Sequence, residues 1–251
     1  AARGARPRGG VGGAPLPAVR DSGGVVDLQV PARLAALHRL LLELAACEEA
    51  RGAPGLLPGL LEEFWTELLQ SEVTVSKREV LLHRLAEDFG HGTLRRRHAR
   101  RLAARLGGLG VRAVLDPMAH TGFHAWALAG EGLRVEAADA SPPPHGRPWR
   151  DVIRRPVEST SWEAYGAEWA LFLSWPPHWC EAGADAVRGF RGDVVVLLGD
   201  AGDWTGTRGL EEELERHWTL VEAWQCETPW PRLDERLSIH VRRSGLKGKK
   251  K

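Results

Sequence analysis

The chain has 251 residues and a formal net charge of +1, with 34 basic and 33 acidic side chains. This length is enough for one large domain with an extension, and such a chain can bury a core without disulfides or a structural metal. The balance of charge argues against a protein whose whole surface binds a polyanion. Hydrophobic residues make up 43% of the chain, which is typical of a globular protein.

The three cysteines are far apart in the sequence, and their number is odd: Cys47, Cys180 and Cys226. This pattern argues against a disulfide framework and against a CxxC-type zinc module. No apolar run approaches the roughly 18 residues that a membrane span requires. We therefore expect a soluble intracellular protein in a reducing compartment, the cytoplasm or nucleus, with an organelle as the alternative.

The two ends of the chain differ in composition from the rest. Residues 1–30 are rich in Gly, Ala, Pro and Arg, have no acidic residue before Asp21 and lack apolar periodicity. They are interpreted as a disordered, low-complexity leader. A transit peptide is the alternative, but such peptides are serine-rich and this stretch contains only Ser22. Residues 244–251 form a basic tail.

Residues 31–106 have the apolar spacing of a helical segment. A first helix is indicated by Pro31, which suits a first helical turn, and by leucines that recur on one face: Leu34, Leu37, Leu41 and Leu44. The same spacing predicts a second helix over about residues 60–69. Ser76 and Glu79 form a capping box, which predicts the start of a third helix.

The third helix is predicted to end at Gly90, and a fourth to run from about Thr93 to Gly107. The fourth carries a group of basic side chains: Arg95, Arg96, Arg97, Arg100, Arg101 and Arg105. The first five could bind nucleic acid or an acidic partner, and the alternative is a solvated helix face. One basic helix in a chain of balanced charge favours the solvated face.

Beyond the fourth helix, strands and helices alternate. An apolar run over residues 111–115 ends in Asp116, and a turn of small residues and a helix over about residues 122–129 follow. A second strand over residues 133–138 ends in Asp139. A strand, a tight turn, a helix and a strand that ends in an acid make up the βαβ nucleotide-binding unit.

The later elements continue this alternation. Strands are predicted over residues 169–173, 193–198, 219–224 and 237–242, and helices over residues 180–190 and 210–217. The last two strands are joined by a connection short enough for a hairpin, so we expect them to be antiparallel. The sequence therefore predicts an α/β domain over residues 107–243, preceded by a helical N-terminal segment.

The segment VLDPMAHTGFHAWALAGEGLRVEAADAS, which begins at Val114, resembles the cofactor-binding half of class I S-adenosylmethionine-dependent methyltransferases. Its turn over residues 116–122, DPMAHTG, is similar to that family's DPxAGxG loop. The resemblance implies a Rossmann-like sheet and S-adenosyl-L-methionine as the cofactor. It also implies the cofactor-binding residues, which are Asp116, Met118, His120, Gly122, Asp139 and Glu158.

Three acids have distinct roles in this resemblance. Asp116 would accept hydrogen bonds from the cofactor's amino-acid end, Asp139 would hold the ribose hydroxyls, and Glu158 would lie near the adenine. The small residues of the turn agree with this assignment, because they let backbone amides approach a ligand closely.

His120 stands where the family has its middle glycine. A side chain there would crowd the cofactor, or be strained where the backbone requires a positive φ, and His120→Gly would then tighten binding about tenfold. A direct contact of the ring with the cofactor is the alternative, and glycine would then weaken binding. His120 and His124 are one helical turn apart near Asp116, but without a third ligand we expect no metal site.

A second motif, Ser174-Trp175-Pro176-Pro177-His178, follows a predicted strand. It resembles the [DNS]-x-P-[YF] loop of amino-group methyltransferases, in which a polar side chain and a backbone carbonyl bind the target amine. The resemblance implies that these five residues form the catalytic acceptor loop, with Pro177 or His178 in the aromatic position. The alternative is a proline-stiffened strand end with Trp175 packed in the core.

More of the chain, about residues 76–243, is similar to a little-studied eukaryotic branch of this superfamily with DPxAGTG and WPP motifs. Its further matches are Trp175-Pro176-Pro177, Gly199-Asp200, Thr205-Gly206, Trp230, Asp234, Leu237 and Arg242. The resemblance implies a methyltransferase of unknown acceptor, with an amino group as the candidate. The alternative is a catalytically silent protein that keeps the fold as a binding or scaffold module, with RNA as a candidate partner.

Overall fold

A computed structural model describes residues 30–46, 56–142, 149–201, 204–228, 230 and 232–243. The predicted leader, the basic tail and Cys47 lie outside the described residues. Within these ranges, no helix is long and apolar enough to cross a membrane.

Three helices form the N-terminal part of the structure: α1 (Ala32–Ala46), α2 (Leu56–Gln70) and α3 (Val75–Phe89). They pack around one shared core of side chains that were predicted from their spacing: Leu34, Leu37, Leu41, Leu61, Phe64, Trp65, Leu68, Leu81 and Leu85. Gly90 ends α3 as predicted, with φ +77° and a hydrogen bond from its N–H to the Ala86 carbonyl. The predicted capping box is wrong, because α3 begins after Thr74, which makes no side-chain capping bond.

Helix α4 (Arg96–Gly108) packs on the sheet instead of joining the first three helices. Its fully buried Leu102 and Leu106 share a core with Val114 and Phe172 of the sheet. The helix starts three residues later than predicted, because Thr93 and its neighbours form an extended connection. The main core of the α/β part therefore includes α4. The predicted division into a helical segment over residues 31–106 and an α/β domain over residues 107–243 stays a prediction.

The described part of the chain contains one seven-stranded sheet in the order β3-β2-β1-β4-β5-β7-β6. Its strands are β1 (Ala113–Asp116), β2 (Arg134–Asp139), β3 (Val152–Arg154), β4 (Trp169–Ser174), β5 (Val194–Asp200), β6 (Trp218–Gln225) and β7 (Glu235–Arg242). Strands β1 to β5 are parallel, and β7 pairs antiparallel with both β5 and β6. The predicted fold class, a Rossmann-like class I methyltransferase sheet that ends in an antiparallel hairpin, is confirmed.

Helices α5 (Phe123–Gly130), α6 (Ala182–Gly189) and α7 (Arg208–His217) connect the parallel strands and lead into the hairpin. All four residues of β1 are buried, because both faces of the central sheet are covered, and this explains its unbroken apolar sequence. Strand β3 was not predicted, because it has only three residues and none of them is buried.

The strand order places the candidate site. The chain continues from β1 to β2 and β3 on one side of the sheet, and then returns to add β4 and β5 on the other side. Ligands of open α/β sheets bind outside the carboxyl ends of the strands at such a reversal point. The turn after β1 and the loop after β4 are therefore neighbours at the carboxyl edge.

Candidate functional site

The turn after β1 is held against the end of β2 by backbone hydrogen bonds. Ala119 N donates to the Ala138 carbonyl at 2.9 Å, and His120 N donates to Asp139 Oδ2, also at 2.9 Å. Gly122 N closes the turn by donating to Ala119 O at 2.7 Å. The structure thus brings together four of the predicted cofactor-binding residues: Asp116, His120, Gly122 and Asp139.

Two residues of this turn have a left-handed backbone, His120 with φ +50° and Gly122 with φ +75°. A Cβ atom on Gly122 would lie 3.0 Å from Val152 Cγ2 and 3.2 Å from the Arg150 carbonyl, so glycine is needed there for packing beside β3. For His120 the left-handed conformation costs about 1–2 kcal/mol. The backbone strain that a positive φ would impose on His120, which was considered from the sequence, is therefore present in the structure.

Asp116 is buried, with 1% of its surface exposed. Its Oδ1 atom accepts a hydrogen bond from Met118 N at 3.4 Å, whereas Oδ2 has no partner among the described residues. Burial raises the pKa of Asp116 to about 8, and the nearby Asp139 carboxylate contributes to this shift. Asp116 is therefore a largely protonated acid at neutral pH with a free oxygen.

Asp139 has a structural role as well as its predicted one. Oδ2 accepts from His120 N, and Oδ1 accepts from Ser141 N at 2.8 Å. A carboxylate has about four acceptor positions, so these two bonds leave capacity for two ligand hydroxyls. Asp139 thereby links the end of β2 to the turn after β1.

Of the two remaining cofactor candidates, Met118 lies within this turn and Glu158 lies outside it. Met118 is half-buried and packs against the core on one side of the sheet. Glu158 is exposed in a short 3-10 turn, Val157–Ser159, which follows β3. Its proposed position near an adenine stays a prediction.

The acceptor loop begins at Ser174, the last residue of β4. Trp175 has a left-handed backbone with φ +50°, and its N–H donates to the Leu198 carbonyl at 2.8 Å. The carbonyl of Pro176 accepts from Gly206 N at 2.8 Å, which ties this loop to the segment after β5. Trp175 is half-buried and outside the apolar core clusters, so the alternative of a core tryptophan is wrong.

The outer part of this loop carries an exposed group of aromatic rings. The His178 ring contacts Trp179 edge-to-face at a centroid distance of 4.9 Å, and Trp204 at 5.9 Å. Trp179 is 77% exposed and Trp204 is 51% exposed. Pro177 is half-buried between this group and Pro176, so His178, and not Pro177, presents a ring at the surface.

Sequence reasoning missed Glu235, the first residue of β7, which is completely buried. Its Oε1 atom accepts from Trp175 Nε1 at 2.7 Å and from Thr93 N at 2.9 Å. Burial raises the pKa of Glu235. One signal was available, because Glu235 has the same alternating phase as the inward-facing Leu237 and Ile239.

A segment that we call the strap, residues 90–95, crosses the carboxyl edge between α3 and α4. The carbonyl of Gly92 accepts from His124 Nε2 at 3.1 Å, and the carbonyl of His91 accepts from Trp230 Nε1 at 3.1 Å. Gly92 lies so close to the sheet that a Cβ atom there would be 2.7 Å from Leu198 Cδ2 and 2.8 Å from Ser174 Oγ. The strap therefore covers the polar residue of the acceptor loop.

Gly92→Ala is expected to lower the free energy of unfolding by about 1–3 kcal/mol, the usual cost of overpacking a filled site. The control is Gly107→Ala in α4, where no atom lies within 4 Å of the added Cβ, so helix propensity should stabilise the protein slightly. Urea unfolding of both variants measures the difference. Equal stabilities would show that the strap does not pack tightly on the sheet.

Of the histidine pair considered as metal ligands, His124 has another partner. Burial lowers the pKa of His124 to about 4, so its ring is neutral and donates from Nε2 to the strap. Across the described residues, no group of three His, Cys, Asp or Glu side chains is placed to hold a metal ion.

The basic helix presents four of the five arginines considered for nucleic acid at the surface, and each of the four is paired with a carboxylate. Arg95 is 3% exposed, and its guanidinium donates to the Glu227 carbonyl at 2.9 Å, so its inclusion in that surface is wrong. The exposed members pair with carboxylates: Arg96 and Arg100 with Glu131, Arg97 with Glu227, and Arg101 and Arg105 with Glu222. Binding of nucleic acid by Arg96, Arg97, Arg100 and Arg101 stays a prediction.

Several residues of the branch motif stabilise connections around the site. Asp200 N donates to Thr205 Oγ1 at 2.8 Å, and a Cβ atom on Gly199 would lie 2.2 Å from Thr205 Cγ2. Asp234 N donates to Asp200 Oδ1 at 2.7 Å, which joins the ends of β5 and β7. These contacts give a structural reason for the motif: Gly199 leaves space for the Thr205 side chain, and Asp200 and Thr205 hydrogen-bond the connections around the site.

No family model matches the sequence, and no curated protein matches it significantly. Among solved structures, N-methyltransferase NodS from Bradyrhizobium japonicum has 18% identity and a TM-score of 0.43, over 58% of this chain and 95% of that chain. Burkholderia thailandensis 1,6-didemethyltoxoflavin-N1-methyltransferase has 17% identity and a TM-score of 0.44, over 72% and 89%.

Magnesium protoporphyrin IX methyltransferase from Synechocystis has 12% identity and a TM-score of 0.43, over 71% of this chain and 89% of that chain. These similarities concern the fold alone. The fold class rests on this chain's own α/β architecture and its terminal antiparallel hairpin.

Proposed function

We propose that this protein binds S-adenosyl-L-methionine at the turn after β1 and transfers the methyl group to an acceptor, with an amino group as the acceptor class. The observation that carries the proposal is the position of Asp116, a buried acid with a free oxygen at the reversal point of the sheet. Asp139 supports it, because its carboxylate ends the neighbouring strand and keeps acceptor capacity.

The residues present fit this cofactor chemically. The amino-acid end of S-adenosyl-L-methionine carries an ammonium group, which a carboxylate such as Asp116 can accept, and the ribose carries two hydroxyl donors, which Asp139 can accept. An unpartnered buried oxygen costs free energy in a folded protein. A ligand that donates a hydrogen bond to Asp116 Oδ2 removes this cost, whereas bulk water does not reach the atom.

The bound cofactor would supply a methyl group on a positively charged sulfur. The chain's own contribution is to position the acceptor and exclude water. These two effects lower the barrier to methyl transfer more than acid–base chemistry does. The Ser174 hydroxyl can accept a hydrogen bond from the acceptor's N–H, which directs the nitrogen lone pair. Trp175 fixes the backbone beside it, because both its N–H and its indole N–H are already bound.

Isothermal titration with S-adenosyl-L-methionine and S-adenosylhomocysteine tests the proposal. We expect both to bind the wild-type protein, and Asp116→Ala and Asp139→Ala each to weaken binding by about 1–3 kcal/mol, the value of a charge-assisted hydrogen bond. Glu158→Gln measures the third predicted contact. The absence of binding to the wild-type protein at millimolar ligand would overturn the enzyme proposal.

A second candidate is a catalytically silent protein that uses the fold as a scaffold. The specific observation in its favour is the strap, because the Gly92 backbone packs closely on Ser174, so an acceptor reaches this hydroxyl only when the strap moves. The same titration separates the two candidates, since a silent scaffold binds neither ligand.

A further inference from the structure

The geometry points to a ligand-binding role for the His120 side chain, at the position where the resembling family has glycine. We propose that His120 Nδ1 donates a hydrogen bond to the carboxylate of the ligand's amino-acid end, beside the ammonium group at Asp116. This inference rests on the proposed function and adds to it a residue that discriminates between ligands with and without that carboxylate.

The first observation is the conformation of the turn. His120 keeps φ +50° although glycine would adopt this backbone without strain. Its N–H is bound to the Asp139 carboxylate at 2.9 Å, so the surrounding structure holds the residue in this conformation. Strained non-glycine residues cluster at functional sites, so the strain at His120 supports a functional use of its ring.

The second observation is a pair of unsatisfied atoms. His120 Nδ1 and Asp116 Oδ2 are both closed off from water, and neither has a hydrogen-bond partner within the described ranges. Buried polar atoms are usually paired in folded proteins, so these two atoms of one five-residue turn are available to a polar ligand. One atom can donate and the other can accept, which matches a group that carries both a carboxylate and an ammonium.

The charge state of the ring agrees with this assignment. Burial lowers the pKa of His120, so the imidazole is neutral at pH 7 and carries one N–H. A neutral imidazole that donates from Nδ1 can bind a carboxylate without adding a second charge beside the ammonium.

The end of α3 covers the turn in this structure. Thr121 Oγ1 donates to the Asp88 carbonyl at 3.0 Å, and Trp149 Nε1 donates to the same oxygen at 2.6 Å. Because His120 Nδ1 is closed off from water, a ligand reaches it only when the atoms that cover it move, and the end of α3 is bonded to this turn. Hydrogen exchange of the strap amides is expected to change when the ligand binds.

The test compares His120→Gly with Arg232→Gly, since Arg232 is another non-glycine residue with a positive φ, +65°. Both substitutions remove backbone strain, so both are expected to raise the melting temperature by about 2–4 °C. Only His120→Gly is expected to weaken S-adenosyl-L-methionine binding, by about tenfold, which corresponds to one hydrogen bond to a charged group. His120→Asn, which tolerates the same backbone and keeps an N–H donor, should recover part of the loss.

A ligand without the carboxylate isolates the proposed contact. Decarboxylated S-adenosylmethionine is expected to bind wild-type protein and His120→Gly equally. If wild-type protein binds S-adenosyl-L-methionine and His120→Gly binds it as tightly or more tightly, the role of His120 is wrong while the proposed function stands. If wild-type protein binds none of the ligands, the proposed function fails and this inference fails with it.

Discussion

Glu235→Ala is expected to lower the free energy of unfolding by about 3–5 kcal/mol. The substitution leaves Trp175 Nε1 and Thr93 N without their shared acceptor in a fully buried site. Each unsatisfied buried donor costs about 1–3 kcal/mol, and the lost side chain adds a cavity. Urea unfolding measures the change, and hydrogen exchange of the Trp175 indole N–H shows whether the acceptor loop has loosened.

Glu235→Gln is the matched variant, because its amide oxygen can replace Oε1 as the acceptor for both donors. It should retain most of the stability that the alanine variant loses. Arg236→Ala, at the exposed neighbouring position, should change stability by less than about 0.5 kcal/mol. A loss below about 1 kcal/mol in Glu235→Ala would show that the carboxyl group does not hold the strap and the acceptor loop.

The affinity for S-adenosyl-L-methionine is expected to increase about 100-fold between pH 5.5 and pH 7.5. Burial raises the pKa of Asp116 to about 8 in the free protein, so the acid is protonated over this range. The ligand's ammonium favours the ionised carboxylate, and binding therefore releases a proton. Below the free-state pKa and above the bound-state pKa, each pH unit changes the affinity about tenfold.

Titration calorimetry in two buffers with different ionisation enthalpies counts the protons released. We expect about one proton per ligand for the wild-type protein at pH 6.5, and none for Asp116→Asn, whose affinity should not vary with pH over this range. Ligand binding without proton release by the wild-type protein would mean that Asp116 is already ionised or does not contact the ammonium.

Local sequence patterns predicted much of the fold. Each element has to bury its own apolar surface, whichever segment packs against it. This requirement produces the spacing of leucines in α1 and α2 and the unbroken apolar runs of β1 and β4. The turn after β1 was recognisable because short side chains between a strand and a helix meet a steric requirement of the backbone. The short connection between β6 and β7 predicted their antiparallel pairing for the same kind of local reason.

Features that depend on contacts between distant residues were missed or misjudged. Strand β3 is too short for periodicity, and it forms because β2 offers an edge with which it can pair. The capping box at Ser76 had a correct sequence pattern, but the helix begins two residues before the assumed start. The arginines of α4 suggested a basic surface, whereas the glutamates that pair with them come from segments more than 25 residues away.

The sequence by itself determined the fold class, because the alternation of strands and helices follows from local patterning. It predicted the position of the candidate site from the acids at strand ends and from the resemblance. Only the tertiary structure decided which atoms of that site are buried, which lack hydrogen-bond partners and how its acids are protonated. Asp116 and His120 each have an atom that the folded chain buries without a partner among the described residues, and Glu235 becomes an acceptor for two distant donors. Burial, and with it the protonation of Asp116, depends on what packs above a residue, which no local pattern records.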